Sequence, residues 1–95
     1  MKRIYKYYIA ITDEQEVVLP VGAKILSVGR AADNARNSLS IWAIVDDAEM
    51  DTKTRCVLVH GTGHPANDVG DAYDFLGTVI DDMLVWHVFV GRADR

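Results

Sequence analysis

Six separate segments of this chain alternate apolar and polar residues with a period of two: "RIYKYYIAI", "AKILSV", "LSIWAIV", "RCVLVH", "FLGTVI" and "LVWHVFV". They are rich in β-branched and aromatic side chains, and that combination reads as strand. Turn signals separate them: "TDEQE", "PVG", "ADNARN", "DDAEMD", "GTGHPAND" and "IDD". No helical stripe of useful length competes. "GRAADNARNSL" and "PANDVGDAYDF" could each hold one helical turn, and both are too short to be stable without packing. The spacing predicts an all-β fold of six to seven strands with little helix, as a small antiparallel sandwich or a barrel-like meander. With 95 residues the chain is read as a single β domain, 1–95, with one modest core.

Two strands constrain the fold further. In "LSIWAIV" the set Leu39, Ile41, Ala43 and Val45 alternates with Ser40, Trp42 and Ile44, so both faces are largely apolar. In "LVWHVFV" the set Leu84, Trp86, Val88 and Val90 alternates with Val85, His87 and Phe89. Strands of this kind are normally covered on both faces. A chain with no long helix can find that cover in a second sheet or in another copy, which predicts a homo-oligomer, a dimer or a tetramer. Ile25, Ile41, Ala43, Leu58 and Val88 are the expected core.

A formal charge of −4 argues against a nucleic-acid backbone as partner. Cys56 is the single cysteine, which excludes an internal disulfide and suits a reducing cytosol. The N-terminal "MKRIYKYYIAITDEQE" is too short in its apolar run for a signal peptide, and no stretch is apolar enough for a membrane span.

The segment richest in unusual chemistry is "HGTGHP", His60 to Pro65. It lacks the Gly-Lys-Ser/Thr ending of a phosphate-binding loop. His60 and His64 lie four apart in a glycine loop rather than on one helix face, and with Cys56 in an apolar strand they make a poor metal set. No acid, base and nucleophile converge, so no catalytic residue, metal or cofactor is assigned and the chain is read as not an enzyme. As a structural turn, the segment uses Gly61 and Gly63 for positive φ and Pro65 to fix the exit. As a binding loop, it offers glycine amides to an anion and His64 to a base or an acceptor. The candidate binding residues are therefore His60, Gly61, Thr62, Gly63 and His64, joined by Arg30 and Arg36 (with Lys24) as charges in and near the Gly29–Ser38 loop. Tyr5, Tyr7 and Tyr8 form a further cluster, read first as sheet packing and second as an interface.

The segments "IYKY", "ITDEQEVVLPVGAKILSV", "LSIWAIVD", "GTGHP", "FLGTV" and "VWHVF" occur in the order of a known family. Together with Trp42, His64, Pro65, Trp86 and His87, they make the chain resemble a family of small tailed-bacteriophage and prophage proteins that carries only a domain-of-unknown-function label. The resemblance runs from Ile4 to Phe89; the stretch Gly29 to Ser38 is longer than the family's connection, as an inserted surface loop would be. It implies a phage origin, a β-rich fold and residence in the cytoplasm of an infected bacterial host. It also implies a non-enzymatic binding protein that counters an anti-phage defence, by sequestering a cyclic or other signalling nucleotide or by blocking a defence protein. The alternative is a structural or assembly accessory of the virion.

Overall fold

A computed structural model describes residues 1–31 and 37–92. The six alternating segments form strands, and a seventh joins them. In chain order they are β1 (Lys2–Ala10), β2 (Glu14–Pro20), β3 (Lys24–Arg30), β4 (Ser38–Asp46), β5 (Thr52–Gly61), β6 (Tyr73–Asp81) and β7 (Leu84–Gly91). The added strand is β2, whose first residues read as a turn because they are acidic. Its alternation is nevertheless present, with Val17 and Leu19 buried and Glu16 and Val18 exposed. Among the described residues there is no helix, so the candidate helical turn in "PANDVGDAYDF" falls away. That segment is turn and strand, and the centre of "GRAADNARNSL", residues 32–36, lies outside the described residues.

The strands form two antiparallel sheets, β1-β4-β3 and β2-β5-β7-β6. This is the sandwich, not the meander: only β3–β4 and β6–β7 are sheet neighbours that follow one another in sequence. The core between the sheets is built from Ile9, Val17, Leu19, Leu39, Ile41, Val57, Val59, Val79 and Val88. Of the five expected core residues, Ile41, Ala43, Leu58 and Val88 are buried and Ile25 is half-buried. Ile25 sits on an edge strand beside a β-bulge at Leu26, which turns β3 away from regular pairing.

One side of the sandwich is closed. β6 carries a matching bulge at Leu76, and β3 and β6 meet there so tightly that a Cβ on Gly77 would stand 3.0 Å from Val28 Cγ1. Arg30 of β3 also pairs with Asp81 of β6 at 3.1 Å. The two edges shield each other from foreign strands. On the opposite side β1 and β2 are both edge strands, bridged at one end by Gln15, whose amide accepts from Ala10 N at 2.9 Å and donates to Ala10 O at 2.6 Å.

β5 and β6 are both antiparallel to β7, so they run parallel to each other with β7 between them. A parallel pair needs a crossover connection. Here it is the segment 62–72, which travels the length of the second sheet across its outer face. Leu58 and His60 point to that outer face, yet they are 1% and 4% exposed. Leu58 is thus buried as expected, but in a second small layer outside the main core.

Candidate functional site

Register and ion pairing bring the predicted site residues to one end of the sandwich. Ile9 and Arg30 both pair with Leu39, Gly61 pairs with Trp86, and Arg30 reaches Asp81 beside the β6–β7 turn. The ends of β1, β3, β5 and β6 therefore meet there, with the β1–β2 connection, the "HGTGHP" loop and the β6–β7 turn. Arg30, Gly61, Thr62, Gly63 and His64 share this end. Lys24 lies at the other end of β3, opposite Ile44. Arg36 falls outside the described residues.

The two glycines of the loop do different work. Gly63 has φ 87° and follows Thr62 at the centre of a turn closed by His64 N donating to Gly61 O at 3.1 Å. That is the position where a type II turn wants glycine. Gly61 has no positive φ, contrary to the expectation for it; it is small because of its neighbours. A Cβ there would stand 3.0 Å from the His64 ring and 3.3 Å from the Trp86 ring.

His60 is not presented to solvent. Its Nε2 lies 2.7 Å from Asp68 Oδ1 on the crossover connection, and its Nδ1 is 3.8 Å from Asp13 Oδ1, beyond hydrogen-bond reach. His60 therefore staples the connection to the sheet. His87, its cross-strand neighbour, is also committed: Thr62 Oγ1 is 2.7 Å from Nε2 and Thr78 Oγ1 3.0 Å from Nδ1. A hydroxyl can donate or accept, so either tautomer is satisfied.

His64, in contrast, is exposed. It borders a shallow pocket of about 150 Å³ lined by Gly61, Thr62, Met83, Leu84, Val85 and Trp86. The β6–β7 turn projects Met83, 94% exposed, at its rim. Asp82 opens that turn at φ 55°, a conformation aspartate tolerates better than most residues. Trp86 Nε1 is buried without a hydrogen-bond partner among the described residues. Around this end Asp13, Asp68, Asp81 and Asp82 face the single described cation Arg30, itself paired. Among the described residues the charges at this end are mostly acidic.

A second constellation, which periodicity could not reveal, lies toward the other end of the same outer face. Tyr73 sits opposite Gly91 on β7, and its ring reaches across that glycine so that its hydroxyl donates to Cys56 Sγ at 3.2 Å. Cys56 Sγ in turn lies 3.6 Å from Glu14 Oε2. Cys56, in a strand read as apolar, thus has two polar contacts beside a pocket of about 290 Å³. The hydrogen bond to Cys56 and then burial push the Tyr73 phenol from 10.0 up to about 12. The native state therefore holds this proton where the unfolded chain has lost it. That contribution to stability is complete below about pH 10 and is lost as pH rises through about 12. In a phenolate absorbance titration, the last of the four tyrosines to ionise should vanish in Tyr73→Phe. An unchanged last step in that variant would refute the assignment.

The fold and this end together define a seven-stranded β-sandwich that gathers the β1–β2 connection, the "HGTGHP" loop, the β6–β7 turn, an exposed histidine and apolar side chains at one end. The chain belongs to the family described as Domain of unknown function (DUF7352), whose sequence profile matches residues 1–95. No curated protein and no solved structure matches the chain.

Proposed function

We propose that the chain is a small non-enzymatic binding protein that acts by occupying a protein partner through its loop-bearing end. The observation that carries this reading is the concentration of exposed apolar side chains there. Met83 and Leu84 line the pocket that His64 and Trp86 border, and exposed Ile80 stands opposite Val85 on the neighbouring strand. Methionine and aromatic side chains are enriched in protein interfaces, and flexible methionine suits an adaptable contact. Two of the three histidines support the same reading, because both nitrogens of His87 and Nε2 of His60 are engaged within the fold, while His64 is exposed to a partner. The acidic surroundings favour blocking a protein over sequestering a nucleotide, whose phosphates would meet Asp13, Asp68, Asp81 and Asp82.

The resemblance to phage proteins sets the biological frame of the proposal: a phage-encoded antagonist of a host defence, acting in the cytoplasm of the infected bacterium. In bacteria carrying individual anti-phage systems, expression of the chain should restore plaque formation against at least one. His64→Ala combined with Met83→Asp should abolish that protection. The fold should be unaffected, because exposed substitutions of this kind usually cost within about 0.5 kcal/mol. Full protection by the double variant would move the contact surface elsewhere. Turnover of a ligand by the wild type would make the chain an enzyme. Incorporation into purified virions without any protection would favour the structural-accessory alternative.

A further inference from the structure

The side of the sandwich that carries β1 and β2 is unlike the side that β3 and β6 close. Among the described residues β1 has β4 as its one strand neighbour and β2 has β5. Their backbones alternate in a readable way. Ile11 N donates to Asn37 O and Met1 O accepts from Asp47 N, so the odd-numbered positions of β1 bond toward β4. The Gln15 amide occupies Ala10 from the other side. The even-numbered positions Ile4, Lys6 and Tyr8 consequently point away from β4. In β2, Asp13 O accepts from Val59 N and Val21 N donates to Asp51 O, so odd positions again bond inward. Glu14, Glu16 and Val18 point outward, and Pro20, which has no N–H, ends the row.

The geometry points to a two-fold dimer in which β1 of one copy pairs antiparallel with β2 of a second copy, and the reverse. The register that aligns the outward positions sets Tyr8 opposite the second copy's Glu14, Lys6 opposite its Glu16, and Ile4 opposite its Val18. This pairs the two exposed aliphatics of the edges, each 58% exposed, and joins basic β1 to acidic β2. The other two-fold solution, β1 on β1 and β2 on β2, brings the basic β1 against another basic strand and the acidic β2 against another acidic one. Like charges directly opposite destabilise a ladder and opposite charges support it. In the favoured pairing β1 ends where the second copy's β2 begins, so both loop-bearing ends face the same way. Each three-stranded sheet becomes continuous with a four-stranded one. The pairing is independent of what those loops bind.

Light scattering should return a particle of twice the 10.6 kDa chain mass at micromolar concentration. Glu16→Lys should weaken association about tenfold through two symmetry-related like-charge contacts, and adding Lys6→Glu should restore it. Circular dichroism on each variant separates dissociation from unfolding. The register is tested by crosslinking in a Cys56→Ser background. A chain with Ile4→Cys mixed with one carrying Val18→Cys should oxidise to a mixed disulfide, since residues opposite one another in such a ladder have Cα atoms about 5.5 Å apart. A monomeric wild type would overturn the proposal. So would Ile4→Cys chains that crosslink to themselves in preference to the mixed pair, or a charge swap that fails to rescue.

Discussion

Leu58→Asp should leave no soluble folded protein. Leu58 belongs to the outer layer of the four-stranded sheet, 1% exposed, between Glu14 on β2 and Phe89 on β7 and beneath the connection 62–72. An aspartate there has two ways to fail. Ionised, it is an uncompensated buried charge costing several kcal/mol; protonated, it still loses the leucine's packing and buries a poorly satisfied polar group. Either loss is a large part of the roughly 5–15 kcal/mol that holds a domain folded. Two companions separate this from a general intolerance of change. Leu58→Ala should remain folded but lose about 2–5 kcal/mol. Met50→Asp, at a position 90% exposed, should melt like the wild type. A Leu58→Asp protein that expresses and melts normally would mean that the connection does not pack on this face.

The same residue shows how far the sequence could be read. Alternation identified Leu58 as buried, but alternation cannot say in which of two layers. Val57 and Val59 face the core, and the polar residue that shares the opposite face with Leu58 is His60, which looked like a loop ligand. What buries both is a crossover connection, and its path depends on β5 pairing with β7 rather than with β6. Pairing partners are chosen by long-range packing, so a local pattern carries no record of them. β2 was obscured for a different reason. Its outward positions are Glu14, Glu16, Val18 and Pro20, the composition of a guarded edge, and such a strand imitates a turn. β4 and β7 were the most legible strands because their odd and even faces are both apolar. The glycine loop was legible in part: Gly63 supplies positive φ as expected, whereas Gly61 answers to the rings of His64 and Trp86, which are remote until the fold exists. Lys24 and Arg30 are six residues apart in one strand, and extended backbone carries them to opposite ends of the sandwich.

The staple between His60 and Asp68 should show a marked asymmetry between removing one partner and removing both. In Asp68→Ala the 2.7 Å contact to His60 Nε2 disappears, and an imidazole that is 4% exposed is left with Nδ1 already unpartnered. Abandoning a buried polar atom costs about 1–3 kcal/mol, whereas replacing both partners with apolar groups can be nearly neutral. The double variant His60→Leu/Asp68→Ala should therefore be more stable than Asp68→Ala alone, with its leucine extending the apolar layer begun by Leu58. Urea unfolding of the wild type, both single variants and the double variant measures the coupling directly. Amide exchange supplies the local counterpart. Val69 N–H, which donates to Ala66 O at 3.2 Å, should exchange faster in Asp68→Ala than in the wild type, because the connection loses its anchor to the sheet. Costs that simply add, with a coupling under about 0.5 kcal/mol, would show that the crossover is held by its apolar contacts alone and that His60 is a passenger beneath it.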